Sequence, residues 1–228
     1  MDLHTTDPEF AERFEYFAFT EVPNDESARL DEKTRFMAIL AALIGCGDTE
    51  AYREMLSKAL ENGITPIMAK EIIYQATDYL GYGRMLPFLK CTNEIFKERN
   101  ISQPLPCQAT ATLENRLSKG TEAQAEIFGE HMKEAWKSGH INRWLAENCF
   151  GDYYTRQGLA LSERELITFC FLAAQGGCEP QLIAHSKGNM NMGNDREFLI
   201  RVISQCLPYI GYPRSLNAIS CVENAAKQ

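Results

Sequence analysis

The chain has 228 residues, 45% of them hydrophobic and 24% charged, which is the composition of a globular protein with a core of its own. Its net charge of -8 excludes nucleic acid as a default partner, because phosphate binding needs a basic face. No apolar run approaches the roughly 20 residues of a membrane span, and residues 1–7 lack the apolar stretch of a secretory signal. No membrane partner and a cytoplasmic location are therefore expected.

In chain order, Phe10, Phe14 and Phe17 first fall at helical spacing, an aromatic lead-in suited to packing across a helical unit or at a subunit contact. Residues 36–44 are apolar on all sides, as in a central buried helix, and stop at Gly45 and Gly47. A second helix is predicted over about 51–62, ending at Gly63. Thr65 then caps a third, with Pro66 at its first position. That helix runs to Tyr79 and breaks at Gly81, and a fourth starts near residue 84. Residues 100–120, with Pro104 and Pro106 and few large apolar side chains, read as a linker. Ile127, Met132, Trp136 and Ile141 predict one amphipathic helix over 121–144.

The series then begins again. Shifted by 130 positions, residues 35–98 align with 165–228 without a gap; eleven of the 64 pairs are identical, eight of them between Ile73 and Cys91. The shared core is Gln-x-x-x-Tyr-x-Gly-Tyr-x-Arg-x-Leu, at Gln75–Leu86 and Gln205–Leu216. A repeated sequence implies a repeated fold, and no alternation of strand type is present. The expected organisation is all-α: a first repeat over 1–99, a linker over 100–120 and a second repeat over 121–228.

The eight cysteines, at 46, 91, 107, 149, 170, 178, 206 and 221, contain no C-x-x-C, so a zinc ribbon or thioredoxin-like motif is excluded and most are expected as reduced, buried side chains. No histidine, cysteine or carboxylate set has metal-ligand spacing, and no metal or cofactor is expected. Ser162-x-x-Glu165 ahead of an apolar run has the form of a capping box, which gives Glu165 a structural reading beside any chemical one. His185 stands 20 residues later on the next helix and is suited to proton transfer at neutral pH. Tyr79, Tyr82, Tyr209 and Tyr212 recur in both copies and read as packing residues, as do Arg84 and Arg214, although a buried Arg can also hold a carboxylate.

Arg-Glu-Leu at 164–166, an apolar run, Gly-Gly-x-x-Pro-Gln-Leu-x-x-His ending at His185, and the Gln205 to Asn217 block resemble the carboxymuconolactone decarboxylase family. The match is specific over 160–226 and looser over 30–98. The resemblance implies a ring-forming helical unit, so that three tandem chains would make a six-unit homotrimer, and it includes lactone decarboxylases and the thiol peroxidase alkyl hydroperoxidase D. The peroxidase pattern Glu…Cys-x-x-Cys-x-x-x-His is met by Glu165, Cys178 and His185, with Gln181 in place of the second cysteine. In the first copy Arg35, Asp48 and Met55 stand opposite these three, so that copy is expected to be structural and to complete one wall of a pocket.

Three functions follow from this resemblance. The first is a decarboxylase-like enzyme on a small organic acid or lactone, using His185 and Glu165 for proton transfer and Arg214 for substrate binding. The second is a thiol peroxidase on Cys178, with an external resolving thiol and a helix N-terminus favouring the thiolate. The third is a non-catalytic ring-forming binding protein.

Overall fold

In the computed structural model, residues 3–227 are described, and all regular structure among them is helical. Three short N-terminal helices, α1 (Leu3–Thr6), α2 (Pro8–Tyr16) and α3 (Val22–Asn24), are joined by a π-helical turn, Phe17–Glu21. The first repeat is α4 (Glu32–Cys46), α5 (Thr49–Glu61), α6 (Pro66–Leu80) and α7 (Tyr82–Glu98). Between the repeats lie α8 (Arg116–Phe128), a 3-10 segment Glu130–Ser138, α9 (His140–Trp144) and a π-helical stretch Leu145–Tyr154. The second repeat is α10 (Leu161–Gln175), α11 (Glu179–Asn191) and α12 (Arg196–Ala226). Gly211, at φ 77° and ψ 165°, kinks α12 where Gly81 separates α6 from α7, so α12 is the counterpart of both.

The helix boundaries follow local chemistry. Asp31, Asp48, Thr65 and Asp195 each accept the backbone N–H three residues on, satisfying a donor that the first turn leaves free. The single helix expected over 121–144 is instead broken at Gly129 (φ 108°) and Gly139 (φ 151°), which leaves a 3-10 segment and a short helix. Helix α8 begins at Arg116, inside the stretch read as linker. It crosses the π-helical stretch very closely: a Cβ on Gly120 would lie 1.8 Å from the Ala146 carbonyl oxygen, and one on Gly151 2.2 Å from that of Arg116. No side chain fits at either point.

The two central helices α4 and α10 are apolar on all faces, which suits burial between layers. They lie side by side with equivalent ends together. Lys33 Nζ donates to Glu163 Oε1 at 2.6 Å, a pair 130 positions apart, and a Cβ on Gly45 would meet Ala174 at 2.7 Å. Such self-matched contacts mark a pseudo-twofold axis running along the pair.

The repeated Gln-x-x-x-Tyr block is used reciprocally across that axis. Gln75 of the first repeat donates to the Arg164 carbonyl and to Thr168 Oγ1, and accepts from Arg164. Gln205 of the second accepts from Arg35 Nε and donates to the Ala28 carbonyl. Fully buried Glu71 adds a cross-repeat ion pair, taking Arg156 through both oxygens and Arg164 at 3.0 Å. One continuous core draws on both repeats. All eight cysteines are free thiols. No helix among the described residues is long and apolar enough to cross a membrane.

Candidate active site

His185 sits on α11, one helix beyond Glu165 on α10, and the two helices pack so that their side chains meet. His185 Nδ1 lies 2.9 Å from Glu165 Oε2 and 3.2 Å from Oε1, and Glu165 is fully buried. Asn189, one turn beyond His185, donates to the backbone carbonyls of both residues and fixes their spacing. Gly188 makes room for the carboxylate, since a Cβ there would stand 2.6 Å from Glu165 Oε2. Glu165 is therefore not the capping residue. That role falls to Glu163, whose Oε2 accepts the Ala160 N–H at 2.8 Å, because α10 starts two residues earlier than the Ser162 motif suggests.

Behind the pair runs a chain of hydroxyls. Tyr154 donates its single hydroxyl hydrogen to Glu165 Oε1 at 2.8 Å. The hydroxyls of Tyr79 and Thr168, each 2.8 Å from the Tyr154 oxygen, must therefore donate to it, and the Cys149 thiol donates to Tyr79 at 3.7 Å. Burial pushes both phenols and this thiol well above their ordinary ranges, so all of them stay protonated donors. Every hydrogen in the chain points toward Glu165. With the carboxylate as acceptor, Nδ1 of His185 carries a hydrogen and Nε2 is the nitrogen left for chemistry.

His185, with Glu165 buried behind it, lines a cavity of about 640 Å³, between the second repeat, α6 and the α8 region. Tyr79 and Phe128 stand edge-on to the His185 ring, each with centroids 5.4 Å apart, and Phe150 packs on Phe128. Cys178 also lines it, but its sulfur contacts are Gln175 Nε2 and the Leu172 carbonyl, not His185. It occupies the N-cap position of α11. Burial, with Glu179 nearby, pushes this thiol up, against the lowering expected from the helix end. Arg214 is not brought to the cavity. It lies against Gly176, in a separate cleft of about 10 Å³ shared with Cys178 and Asn217. The cation on the cavity wall is Lys187.

The same positions in the first repeat carry no comparable cluster. Arg35 bonds Gln205 and the Ala18 carbonyl, Asp48 caps α5, and Met55 receives the Tyr209 hydroxyl. Phe14 of the aromatic lead-in packs edge-on to Tyr209. Tyr209 thus faces Met55 as Tyr79 faces His185, and the repeated tyrosine serves each time the other repeat's second helix. In the sequence Tyr79 reads as a packing residue because it recurs in the copy that lacks the chemistry. Sequence reasoning did not single out Tyr154, Asp78, Gln124 or Gly188. The recurrence of Gln75 and Tyr79 was the one available signal. No group of three or more potential metal ligands is present among the described residues.

Two pseudo-symmetric helical repeats that together enclose one carboxylate-backed histidine define the class of this protein. The pattern of the carboxymuconolactone decarboxylase family matches residues 8–94 and 140–224, and the chain belongs to that family. It is 28% identical over 120 residues to the 4-carboxymuconolactone decarboxylase of Acinetobacter baylyi, half of this chain covering 89% of that protein, which is thus about one repeat long. A crystal structure assigned as a gamma-carboxymuconolactone decarboxylase subunit, from Burkholderia xenovorans, superposes with a TM-score of 0.52 over 99% of this chain and 89% of its own, at 21% identity, a likeness of fold.

Proposed function

We propose that this protein is a decarboxylase of the carboxymuconolactone type, acting on a small carboxylated lactone or related organic acid, with His185 as the group that moves the proton. The observation that carries the reading is His185, backed by the buried Glu165, on the wall of an apolar-sided cavity sized for a small ligand. Loss of CO2 breaks one carbon–carbon bond, leaves its electron pair on the ligand as an enolate, and requires one proton at carbon. His185 Nε2–H supplies that proton, and the buried Glu165 stabilises the imidazolium from which it leaves. Lys187 takes the part first assigned to Arg214, attracting an anionic ligand. The thiol-peroxidase alternative has less support, because the Cys178 thiol is raised and does not bond His185.

The reading is tested by CO2 release from 4-carboxymuconolactone: the wild type should turn over, and His185→Gln should lose about a hundredfold or more. Equal rates in the two would refute it. We further propose that three chains assemble, closing a six-repeat ring. Light scattering that gave a monomer at micromolar concentration would refute the assembly alone.

A further inference from the structure

A second cavity, of about 500 Å³, lies between α6 and the strap of residues 103–108 that follows the first repeat, and it shares no lining residue with the cavity of His185. The strap is pinned at both ends. Gln103 Nε2 donates to the Asn93 carbonyl at 3.3 Å, and the Gln108 carbonyl accepts from the Gln157 N–H at 2.9 Å.

Lys70 of α6 lines this cavity and is only 7% exposed. Lysine is almost never buried to this degree without a counter-charge, because an uncompensated ammonium is costly away from water. Among the described residues Lys70 has no such partner. Its Nζ donates to the side-chain oxygen of Asn93 and stands 5.6 Å from the centre of the Phe96 ring, and both groups are uncharged. Glu71, next in sequence, is already held by Arg156 and Arg164. Burial pushes the Lys70 ammonium below its ordinary range, with no carboxylate to oppose it. Nor does the fold require a charge at this position. The 130-residue shift places Ile200 opposite Lys70, and Ile200 packs against the core. Arg156 is the second cation on the wall. Its Nε and Nη2 hold Glu71, its guanidinium lies 5.2 Å from the centre of the Tyr74 ring, and its Nη1 has no partner among the described residues.

We infer that this cavity binds a small organic acid, whose carboxylate is the counter-charge that Lys70 lacks and whose apolar body lies against the strap. The charge balance sets the class. Lys70 and Arg156 against Glu71 leave one positive charge in excess on the wall, which one carboxylate neutralises and a phosphate dianion exceeds. Pro104, Leu105 and Pro106 of the strap, with Ile67 opposite, offer surface for carbon rather than for further oxygens. The volume is that of an ordinary small-molecule site.

The test uses the one exposed cysteine among the described residues, Cys107, which lines this cavity. Its alkylation by iodoacetamide is followed by peptide mass on the full chain, with benzoate, benzamide or inorganic phosphate present. Benzoate should protect Cys107, benzamide should not, and phosphate should protect only at higher concentration than benzoate. Lys70→Met keeps the aliphatic stem and removes the charge. It should raise the benzoate concentration for half-protection by about tenfold to a hundredfold, the worth of one hydrogen bond between charged groups. The comparison of benzoate with benzamide is made on wild type and holds even if Lys70→Met fails to fold. No protection by benzoate, equal protection by benzamide, stronger protection by phosphate, or an unchanged midpoint in Lys70→Met would each overturn the inference. None of these readings involves CO2 release, so this site and the proposed reaction stand or fall separately.

Discussion

Gly188 offers the sharpest test of the packing that holds the site. Replacing it with alanine places a Cβ 2.6 Å from Glu165 Oε2, 2.8 Å from Phe128 Cε1 and 2.9 Å from Ile127 Cγ2, where ordinary contact begins at 3.4 Å. None of the three atoms belongs to a free-swinging side chain: Glu165 is fixed by Tyr154 and His185, Ile127 is fully buried, and Phe128 is wedged between His185 and Phe150. Relief must come from moving the carboxylate or prising α8 from α11. Overpacking of this kind costs about 1–3 kcal/mol, which for a chain of this size lowers Tm by about 2–12 °C. Displacing the Glu165 carboxylate by even 1 Å should also reduce turnover by about a hundredfold. Gly83, in α7 with nothing within 4 Å of its Cβ position, is the control; alanine there should stabilise by about 0.4–1 kcal/mol. Differential scanning calorimetry and the decarboxylation assay, run on both variants, read the two effects. A Gly188→Ala protein with wild-type Tm and turnover would refute the geometry assigned to the pair.

Three other predictions follow from the same network. Tyr154→Phe removes the hydroxyl that donates to Glu165 and accepts from Tyr79 and Thr168; it should cost about 1–3 kcal/mol in urea denaturation, and a change under 0.5 kcal/mol would argue against the chain of donors. Asp78 binds its proton more tightly in the folded chain, at about 8, than in the unfolded one, near 3.8. The ionisation-linked part of its burial cost is therefore absent below about pH 4, grows as pH rises to about 8, and is constant beyond that. Asp78→Asn should accordingly raise Tm by an amount that grows between pH 5 and 8 and then levels; a gain independent of pH would contradict this. The Cys178 thiol is raised, so iodoacetamide should alkylate it with a midpoint above the ordinary thiol range, and a midpoint below that range would restore it as a nucleophile.

Much of this architecture is legible because its signals are local. Gly47, Gly63 and Gly81 end helices at the expected places, Thr65 and Asp195 cap the next ones, and the 130-residue shift carries the pattern to the second copy. The contact of His185 with Glu165 agrees with the motif through which the family resemblance singled out both residues. What was hidden depends on contacts between repeats. Tyr79 and Asp78 are remote in sequence from His185, and only the pseudo-twofold packing of α6 on α10 brings them to its cavity. Repetition argued for a packing role for Tyr79, yet the fold uses each copy of that tyrosine on the opposite repeat. Arg214, three residues beyond the kink of α12, lies with Gly176 and Asn217 in a small cleft and not on the cavity that His185 lines. The two glycine breaks in 121–144 were overlooked because the apolar spacing alone fitted one helix.

The central claim is that one carboxylate-backed histidine, in the second repeat, moves the proton of a decarboxylation. The most direct measurement is turnover of 4-carboxymuconolactone in D2O by wild type and His185→Gln, followed by CO2 release and by NMR of the product. The account predicts CO2 release with one deuterium at the protonated carbon in wild type, and a rate about a hundredfold lower or less in His185→Gln. Undiminished CO2 release in His185→Gln would contradict it.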